Sequence, residues 1–444
     1  MDRSGEIITA KFGGSSLADS VHFVKVEKIA ESDPRRRFIV VSAPGKRYET
    51  EPKVTDLLYR LYDFYCSGDD TSVPLLEIRE HFLAIIEGLG LDFDLDEELN
   101  SILKSLDEGV SRDFVASRGE YLNGRLLSAY LGWDFVDAKD VIHFSEGGAF
   151  LSEETNELLS GMLKEKEHAV IPGFYGASRD GTVFTFSRGG SDVTGALVAR
   201  ATSSILYENW TDVSGMLTAD PRLVRNPKPI AALSYRELRE LSYMGATVIH
   251  EDAVFPVRRA GIPIRILNTN RPQDPGTLIA PEDAALKRPG SLTGIAGRKG
   301  FSAITVEKTM MNNEVGFGAK LLTCIAAHGL SFEHVPSGID MMAVVLRTDD
   351  LDTCREELVK ELEEELSPDL LKIEDGLSLI AVVGEGMIHA KGLAARIVKA
   401  VGNAGVSVRM IDASFGEMNV IIAVAEDDYE TAIRGIYEEI REEL

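Results

Sequence analysis

The sequence has 444 residues, a length that corresponds to about three domains. Hydrophobic residues make up 44% and charged residues 27%, an ordinary globular composition that excludes a fibrous or wholly disordered chain. Lys and Arg number 47 against 72 Asp and Glu, so the formal net charge is −25. This charge argues against binding along a nucleic-acid backbone, which needs a basic surface, but small anionic ligands in a local pocket stay possible.

Cysteine usage and hydropathy predict a protein of a reducing compartment. Cys66, Cys324 and Cys354 are far apart and form no C-x-x-C pair, so neither a disulfide framework nor a metal site is predicted. The first ten residues include Asp2, Arg3 and Glu6 and lack the apolar core of a signal peptide. No apolar run approaches the roughly 18 residues that a membrane helix needs. We therefore predict a soluble, cytoplasmic protein with no membrane and no nucleic-acid partner.

The first part of the chain predicts one α/β domain. A strand at 7–12, a glycine turn, a helix at 19–32 and a strand at 38–42 follow in the order typical of a layered fold with a parallel sheet. Residues 55–132 show the apolar spacing of helices. Later elements are strands at 168–173, 182–186, 203–209 and 262–268, and a helix at 193–201. The Pro- and Gly-rich stretch 270–290 is interpreted as a linker, so this domain is predicted to span residues 1–290.

An internal repeat follows the linker. Residues 315–335 and 391–411 align at an offset of 76, each with a glycine, a helix of the same apolar period, a closing glycine and an alternating strand. A second strand (342–347 and 420–425) and an acidic amphipathic helix follow in both copies. A further strand is available to the first copy at 371–374, whereas the second copy stops at Leu444, after its last helix.

The missing strand of the second copy has one unassigned candidate, at 292–297. We hypothesise that it completes the second module, which would comprise residues 376–444 and a strand from about 291–299. The first module, residues 300–375, would then be inserted into the second.

Two glycine turns are candidates for binding anions. The sequence KFGGSS at 11–16 follows the first strand, and two glycines before a helix N-terminus let backbone N–H groups approach an oxyanion. It is neither a Walker A loop nor a G-x-G-x-x-G fingerprint, and by itself a structural turn explains it equally well. In SRGGSD at 187–192, capping alone could explain Ser191 or Asp192. Capping does not explain Arg188, a cation at the positive end of a helix dipole.

A third motif makes the combination specific. WTDVSGMLTADPR at 210–222 carries Gly and Asp-Pro turn signals, and by itself a loop of Asx turns explains it. Together with KFGGSS, SRGGSD and the tandem repeat, it resembles the aspartokinases of the amino-acid-kinase superfamily, in the same order and over nearly the whole chain. The resemblance implies the monofunctional form: an amino-acid-kinase-like α/β three-layer sandwich with a mainly parallel central sheet, followed by two ferredoxin-like βαββαβ ACT modules.

The resemblance implies phosphoryl transfer from MgATP to the side-chain carboxylate of L-aspartate, giving 4-phospho-L-aspartate, the first step of lysine, threonine and methionine biosynthesis. A carboxylate is already ionised near neutral pH, so the protein supplies positioning and charge stabilisation. The implied catalytic residues are Lys11, on the transferring phosphoryl group, and Asp192, which orients Lys11. The implied substrate contacts are Thr55, Glu120, Arg188 and Ser191. Without the motif context, a solvated helix carboxylate would explain Glu120.

The nucleotide contacts are implied by the same resemblance, with Mg²⁺ bound mainly through the nucleotide phosphates. They are Lys11, Gly13, Gly14, Ser15, Trp210, Thr211, Asp212, Leu217, Arg222, Thr247 and Val248. Three positions depart from residues common in the family: Ser187 replaces a glycine, Leu217 a tyrosine and Thr247 a lysine. These departures concern nucleotide binding more than the reaction.

An amino-acid effector is implied by the ACT-like modules, which bind such ligands between a helix N-terminus and a neighbouring strand. The implied contacts are Met311, Asn313, Glu314, Gly316, Phe317, Gly318, Ser331, Phe332 and Glu333. Glu333 matches an acidic position of lysine-inhibited relatives, so L-lysine is the predicted feedback inhibitor, with threonine as second choice. An exposed strand end explains Glu333 equally well. Pairing of modules predicts a homodimer or a dimer of dimers.

Two other functions stay open at this point. Another amino-acid kinase, acting on glutamate, acetylglutamate, carbamate or a nucleotide, would lack the paired modules. An effector-binding regulatory protein with an inactive kinase domain would not need Lys11, Arg188, Ser191 and Asp192 to be intact.

Overall fold

The computed structural model describes residues 5–187, 189–246, 248–249, 251–281, 292–413 and 418–444, with the side chains of 251, 252, 388 and 389 excepted. The chain forms two compact units. The first comprises Met1–Met216, Pro229–Tyr235 and Val248–Leu286, and the second Leu217–Lys228, Arg236–Thr247 and Lys287–Leu444. The segments 217–228 and 236–247, predicted within the first domain, thus group with the second unit. One reason is a backbone hydrogen bond from Ile295 to Thr218 (2.8 Å).

The strands of the first unit form a mostly parallel sheet, as predicted, and one separate antiparallel pair. They are β1 (Ile8–Phe12), β2 (Arg36–Val41), β3 (Asp134–Phe135), β4 (Ala169–Pro172), β5 (Tyr175–Ala177), β6 (Val183–Thr185), β7 (Leu206–Thr211), β8 (Ala232–Ser234), β9 (Ile264–Asn268) and β10 (Thr277–Ala280). The eight-stranded sheet has the order β3-β4-β2-β1-β7-β9-β10-β8, while β5 and β6 pair with each other. Within the large sheet only β9 and β10 are antiparallel.

Nine helices lie along the described chain up to residue 260, and one of them, Tyr235–Tyr243, falls almost wholly in the second unit. They are α1 (Ser20–Glu31), α2 (Val54–Ser67), α3 (Ser72–Leu89), α4 (Leu95–Asp107), α5 (Arg112–Leu131), α6 (Ser152–Lys164), α7 (Gly190–Ala201), α8 (Tyr235–Tyr243) and α9 (Glu251–Ala260). The helical region predicted at 55–132 is thus confirmed as four helices. Leu57, Leu58 and Leu61 of α2 are buried at helical spacing in the core that α1–α5 share with β1 and β2. The result is a layered α/β domain.

Two expectations for this region were wrong. The segment 270–290 is not only a linker, because β10 lies within it and pairs with both β8 and β9. Its Pro and Gly signals flank a four-residue apolar strand too short to stand out in the sequence. Helix α7 begins at Gly190, with Gly189 as its N-cap at φ 56°. Ser191 and Asp192 therefore lie in the first helical turn and do not cap the helix.

The second unit contains an antiparallel five-stranded sheet. Its strands are β11 (Gly294–Glu307), β12 (Met341–Arg347), β13 (Leu370–Val383), β14 (Met410–Asp412) and β15 (Asn419–Ala425), in the order β12-β11-β13-β15-β14. Its helices are α10 (Phe317–Ala327), α11 (Thr348–Asp352), α12 (Arg355–Leu366), α13 (Leu393–Asn403) and α14 (Tyr429–Ile440). The short 3-10 helices among the described residues of both units are Gly14–Leu17, Ala138–Asp140, Met311–Asn313, Glu385–His389 and Glu426–Asp428.

The internal repeat is confirmed in three dimensions. Helices α10 and α13 each have 11 residues. Their N-caps, Gly316 and Gly392, have φ of 87° and 80°, and the closing glycines, Gly329 and Gly405, have φ of 72° and 77°. These left-handed conformations suit glycine because it has no Cβ.

One strand expected from the repeat was wrong. After Gly329 no regular strand forms over the described residues 330–340, which make only isolated bridges, from His334 to Val345 and from Ser337 to Met342. Pro336, which lacks a backbone N–H, interrupts the ladder between them.

The strands of both repeats share one sheet. The first part of β11 pairs with the end of β13, Gly294 with Val383 and Lys299 with Ser378, and this part of β13 also pairs with β15. From Phe301 onward β11 pairs with β12 on its other side. The strand predicted at 292–297 therefore lies, from Gly294, beside strands of the second repeat. Because β11 and β13 each run for 14 residues, they extend through both repeats.

Candidate active site

The candidate site lies at the carboxyl edge of the parallel strands. Phe12 at the end of β1 is in register with Val41 at the end of β2, and Val41 with Pro172 at the end of β4. On the other side, Thr211 of β7 pairs with Asn268 of β9. The loops that follow these strands carry the predicted motifs. Ligands of open α/β sheets bind outside the carboxyl ends of the strands.

Lys11 and Asp192 form a close ion pair at this edge. The Lys11 Nζ lies 2.6 Å from Asp192 Oδ1, and the two side chains are only 9% and 15% exposed. Asn209 Nδ2 donates to the same Asp192 oxygen over 2.9 Å. The amide holds Asp192 without competing for its charge. The predicted catalytic pair is thus brought together by β1 and the first turn of α7.

Asn209 is a residue that the sequence analysis missed. It lies on β7 directly opposite Lys11 in the parallel register. Tyr207, two residues earlier on the same face of β7, donates its hydroxyl to the backbone oxygen of Asp192 (3.1 Å). The available signal was a polar residue, Asn209, at the end of the predicted strand 203–209.

The first glycine turn requires its glycines because two loops pack backbone to backbone. A Cβ on Gly14 would lie 2.9 Å from the Ala43 oxygen, and a Cβ on Gly45 would lie 2.5 Å from Gly14. The Gly13 N–H already donates to the Trp210 oxygen over 3.0 Å. This N–H is therefore engaged within the protein, and the predicted phosphate contact of Gly13 stays a prediction. A Cβ on Gly13 would lie 3.4 Å from Lys11 Nζ, so the glycine keeps space open beside the amine. Ser15, the next predicted contact in this turn, is half-buried.

Glu120 is a buried carboxylate without a full set of partners. It lies on α5, is 5% exposed, and accepts a hydrogen bond from the Ala43 N–H. Its Oε2 is buried and has no hydrogen-bond partner among the described residues. Burial raises the pKa of Glu120 to about 8, although the Ala43 bond opposes this shift. The alternative of a solvated helix carboxylate is therefore wrong.

Arg118, the nearest cation in sequence, is occupied elsewhere. Its guanidinium lies 4.4 Å from the ring centres of both Phe114 and Tyr121 and donates to Ser117 Oγ over 2.9 Å. Burial raises the pKa of Glu120, and the opposing charge of Arg118 does not outweigh it. The Glu120 carboxylate thus suits a cationic ligand group.

The remaining predicted substrate contacts are Ser191, Thr55 and Arg188, and they differ in burial and in whether the structure describes them. Ser191 is buried, and a Cβ on Gly173, after β4, would lie 2.6 Å from the Ser191 Cβ. Thr55 is half-buried in the first turn of α2. Arg188 lies outside the described residues.

The loop predicted to contact the nucleotide, residues 210–222, is divided between the two units after Met216. Trp210 is a core residue, stacked on Phe12 with ring centres 6.0 Å apart and bonded through Nε1 to Glu208 (2.9 Å). Its predicted nucleotide contact is therefore corrected: the indole is committed to the core. Thr211 is half-buried and Asp212 exposed. Asn268 Nδ2 donates to the Asp212 oxygen (3.1 Å), which holds the loop.

The other predicted nucleotide contacts are dispersed. Leu217 and Arg222 belong to the second unit, and Thr247 lies outside the described residues. Arg222 is 87% exposed and pairs with Asp220 over 2.6 Å. Val248 is half-buried in the first unit.

The predicted effector residues surround the start of α10 in the second unit. Phe317 and Met311 are buried, and Gly318 lies beside the Met342 side chain. Asn313, Gly316, Ser331 and Phe332 are exposed. Hydrogen bonds from Lys308 and Lys320 lower the pKa of Glu314, whose carboxylate is thus already paired.

Glu333 is anchored in the same region. Its N–H donates to the Val345 oxygen over 2.7 Å, and its carboxylate accepts a hydrogen bond from the Tyr243 hydroxyl. Burial, together with this bond, raises the pKa of Tyr243 to about 12, so the hydroxyl remains a donor. Glu333 is half-buried and lies in no regular strand, so the alternative of an exposed strand end does not describe it.

Two features are absent from the part of the chain that the structure describes. No helix there is long and apolar enough to cross a membrane. No group of three or more His, Cys, Asp or Glu there could hold a metal ion.

Comparison with known families defines the class. The model of the amino acid kinase family matches residues 6–268, and an ACT domain model matches residues 380–440. Fold, ion pair and glycine turns thus define an amino acid kinase carrying an ACT domain.

Individual relatives narrow this class. The chain is 39% identical to aspartokinase 3 of Bacillus subtilis over 97% of both chains. It resembles the crystal structure of Clostridium acetobutylicum aspartate kinase with a TM-score of 0.89 and 45% identity, over 98% of this chain and 99% of that one. It also resembles Escherichia coli aspartokinase III with aspartate and ADP, with a TM-score of 0.76 and 25% identity over 98% and 100% of the chains. The structure of the same enzyme with lysine and aspartate matches with a TM-score of 0.72 and 26% identity, over 97% of this chain and 99% of that one. The chain belongs to the aspartokinases of the amino acid kinase family.

Proposed function

We propose that this aspartokinase transfers the γ-phosphoryl group of ATP to the side-chain carboxylate of L-aspartate and is inhibited by L-lysine. The observation that carries the catalytic part is the close Lys11–Asp192 pair at the carboxyl edge of the sheet. A regulatory protein with an inactive kinase domain would have no need of this pair.

The residues divide the chemical work without a general base. The side-chain carboxylate of aspartate is the nucleophile and is ionised at neutral pH. Lys11 stabilises the negative charge on the transferring phosphoryl oxygens, and Asp192 and Asn209 hold it in place. Glu120 binds the α-ammonium of the substrate, and Arg188 its α-carboxylate, for which a planar guanidinium is suited. The phosphoryl group leaves ADP and forms the acyl phosphate with no proton transfer.

Mg²⁺ fits this scheme as a partner of the nucleotide. When bound, it would neutralise phosphate charge during transfer. Asp192 is already paired with Lys11, which supports binding of the metal mainly through the phosphates.

The proposed reaction is tested by trapping the acyl phosphate with hydroxylamine in the presence of ATP. Aspartate, glutamate and N-acetylglutamate are compared as acceptors. We expect hydroxamate from aspartate only. Hydroxamate from another acceptor and not from aspartate would contradict the proposed substrate, and none from any acceptor would contradict the kinase activity.

Regulation by lysine is proposed from the acidic group at 333. A Glu333 carboxylate can pair with the side-chain ammonium of lysine, and a partly buried pair is stronger than a fully exposed one. The Escherichia coli relative has been solved with lysine and aspartate. Binding of lysine would compete with the Tyr243 hydroxyl for this carboxylate.

Replacing Glu333 by glutamine is expected to raise the lysine concentration for half-inhibition by about tenfold or more, because a charge-assisted contact is lost. The measurement is the lysine dose–response of hydroxamate formation, scaled to each variant's uninhibited rate. Glu364→Gln, an exposed residue of α12 in the same unit, is the matched control and should leave the curve unchanged. If neither lysine nor threonine, alone or together, inhibits the wild type, the regulatory proposal is contradicted.

We further propose the domain division 1–290, 300–375 and 376–444, the last completed by a strand from 291–299. The segments 217–228 and 236–247 are the exception within the first range, because they group with the second unit. The pairing of Gly294–Lys299 with Ser378–Val383 supports this division. The proposed assembly is a homodimer or a dimer of dimers through the ACT modules, for which exposed apolar residues such as Val315 and Ile339 are suited. Light scattering during size-exclusion chromatography measures the assembly directly. A cytoplasmic location stays a prediction.

A further inference from the structure

Two buried acceptor oxygens lie one turn apart on α5. Asn123 is fully buried, and its Nδ2 donates to the Ser42 oxygen over 2.6 Å. Because a carbonyl oxygen only accepts, this bond fixes the amide orientation and leaves Oδ1 as a free acceptor. Asn123 Oδ1 and Glu120 Oε2 are both buried without a hydrogen-bond partner in the described part of the chain.

Both side chains face the end of β2, at the edge that carries the candidate site. Glu120 accepts from the Ala43 N–H, and Asn123 donates to the preceding residue, Ser42. The helix approaches closely here, since a Cβ on Gly119 would lie 2.9 Å from the Ala43 Cβ. Residues three apart on a helix lie on the same face. Glu120 and Asn123 therefore share the face of α5 that meets the end of β2.

We propose that the Asn123 side-chain oxygen is a second acceptor for the substrate α-ammonium, and that Asn123 and Glu120 together select a free amino acid over an N-acylated one. This inference rests on the proposed function. Buried acceptors are normally satisfied, so two adjacent unsatisfied ones indicate a ligand that brings donors.

The chemistry of the two acceptors sets the specificity. A primary ammonium has three N–H donors and can bond both oxygens at once. An N-acyl nitrogen has one N–H and carries a bulky group, so it would leave one oxygen buried and unpaired. Sites built around such hydrogen bonds discriminate strongly because the unmatched polar group is costly.

The test compares aspartate with succinate, which is aspartate without its amino group. Asn123→Leu removes the acceptor at similar volume. We expect it to raise the KM for aspartate by about tenfold to a hundredfold, the effect of one hydrogen bond to a charged group. The inhibition constant of succinate, measured as a competitor of aspartate, should stay unchanged. If the leucine variant does not fold, Asn123→Ala carries the same comparison.

A second readout does not depend on succinate binding. In a double-mutant cycle with Glu120→Gln, two groups on one ammonium should show non-additive effects on the KM for aspartate. Asn156→Leu on α6 is the matched control, because Asn156 Oδ1 is also buried and unpartnered but α6 carries no predicted site residue. Asn156→Leu should change neither the KM for aspartate nor the inhibition constant of succinate.

The possible failures are distinguishable. Equal increases in the KM for aspartate and the inhibition constant of succinate, or additive effects in the cycle, would overturn the role of Asn123 and leave the kinase reaction intact. Absence of aspartate-dependent acyl phosphate in the wild type would overturn the proposed function itself.

Discussion

Replacing Lys11 by methionine is expected to lower kcat for acyl-phosphate formation by about a thousandfold, with less than about a threefold change in the KM for aspartate. Methionine keeps much of the length of the lysine stem but removes the ammonium, which lies 2.6 Å from Asp192 in a largely buried pair. A charge aimed at the transferring phosphoryl group acts mainly in the transition state. The loss should therefore appear in kcat, measured by hydroxylamine trapping at saturating ATP.

The control separates this effect from loss of an ion pair in general. Lys166→Met removes the pair between Lys166 and Asp134 (3.1 Å), which lies at the amino ends of β3 and β4. This variant should keep wild-type kcat. A Lys11→Met enzyme that folds and retains kcat within tenfold would contradict the catalytic role. Lys11→Arg should restore little activity, since a planar guanidinium does not replace a compact ammonium.

The KM for aspartate is expected to rise about tenfold for each pH unit below about 8 and to level off above it. Burial raises the pKa of Glu120 to about 8, so below that pH the free enzyme holds the carboxyl protonated and neutral. Binding the substrate ammonium requires the carboxylate, and the fraction of enzyme that is ready to bind falls with pH. The measurement is a KM profile between pH 6 and pH 9, with the KM for ATP followed in parallel.

Glu120→Gln should abolish this pH dependence and keep the KM for aspartate about tenfold or more above the wild-type value at pH 8. Glu98→Gln, a partly buried glutamate of α4 paired with Arg125, should leave the profile unchanged. If the KM of Glu120→Gln for aspartate still depends on pH as in the wild type, the titrating group is not Glu120.

Stability gives a check on the same residue. The folded protein holds the proton of Glu120 up to about 8, whereas an ordinary glutamate releases it near 4.5. As the pH rises between these values, ionisation of Glu120 stabilises the unfolded state, so the free energy of unfolding decreases. The glutamine variant avoids this decrease. At pH 8 its melting temperature should be no lower than that of the wild type. A clear decrease would indicate that Glu120 serves packing more than binding.

Features that depend on neighbouring residues could be predicted from the sequence, whereas features that depend on distant residues could not. Lys11, the glycine turns and the helices at 55–132 could be predicted because strand, turn and helix signals are local. The 76-residue repeat was equally visible, and α10 and α13 have equal lengths. Trp210 was misassigned because its stacking partner, Phe12, lies almost 200 residues away in the sequence but on a neighbouring strand. Strand β10 was missed because four residues carry too little pattern.

The sequence by itself determined the family, the order of the elements and the residue types available for phosphoryl transfer. These follow from local patterns: alternating apolar residues, glycine before a helix, and motifs kept in order. Only the tertiary structure decided which polar groups lack partners and which are already paired. Asn209 joins Asp192 through the register of β1 and β7, and Asn123 and Glu120 keep free oxygens because α5 crosses the end of β2. Hydrogen bonding and burial are properties of non-local contacts, and no local pattern specifies them.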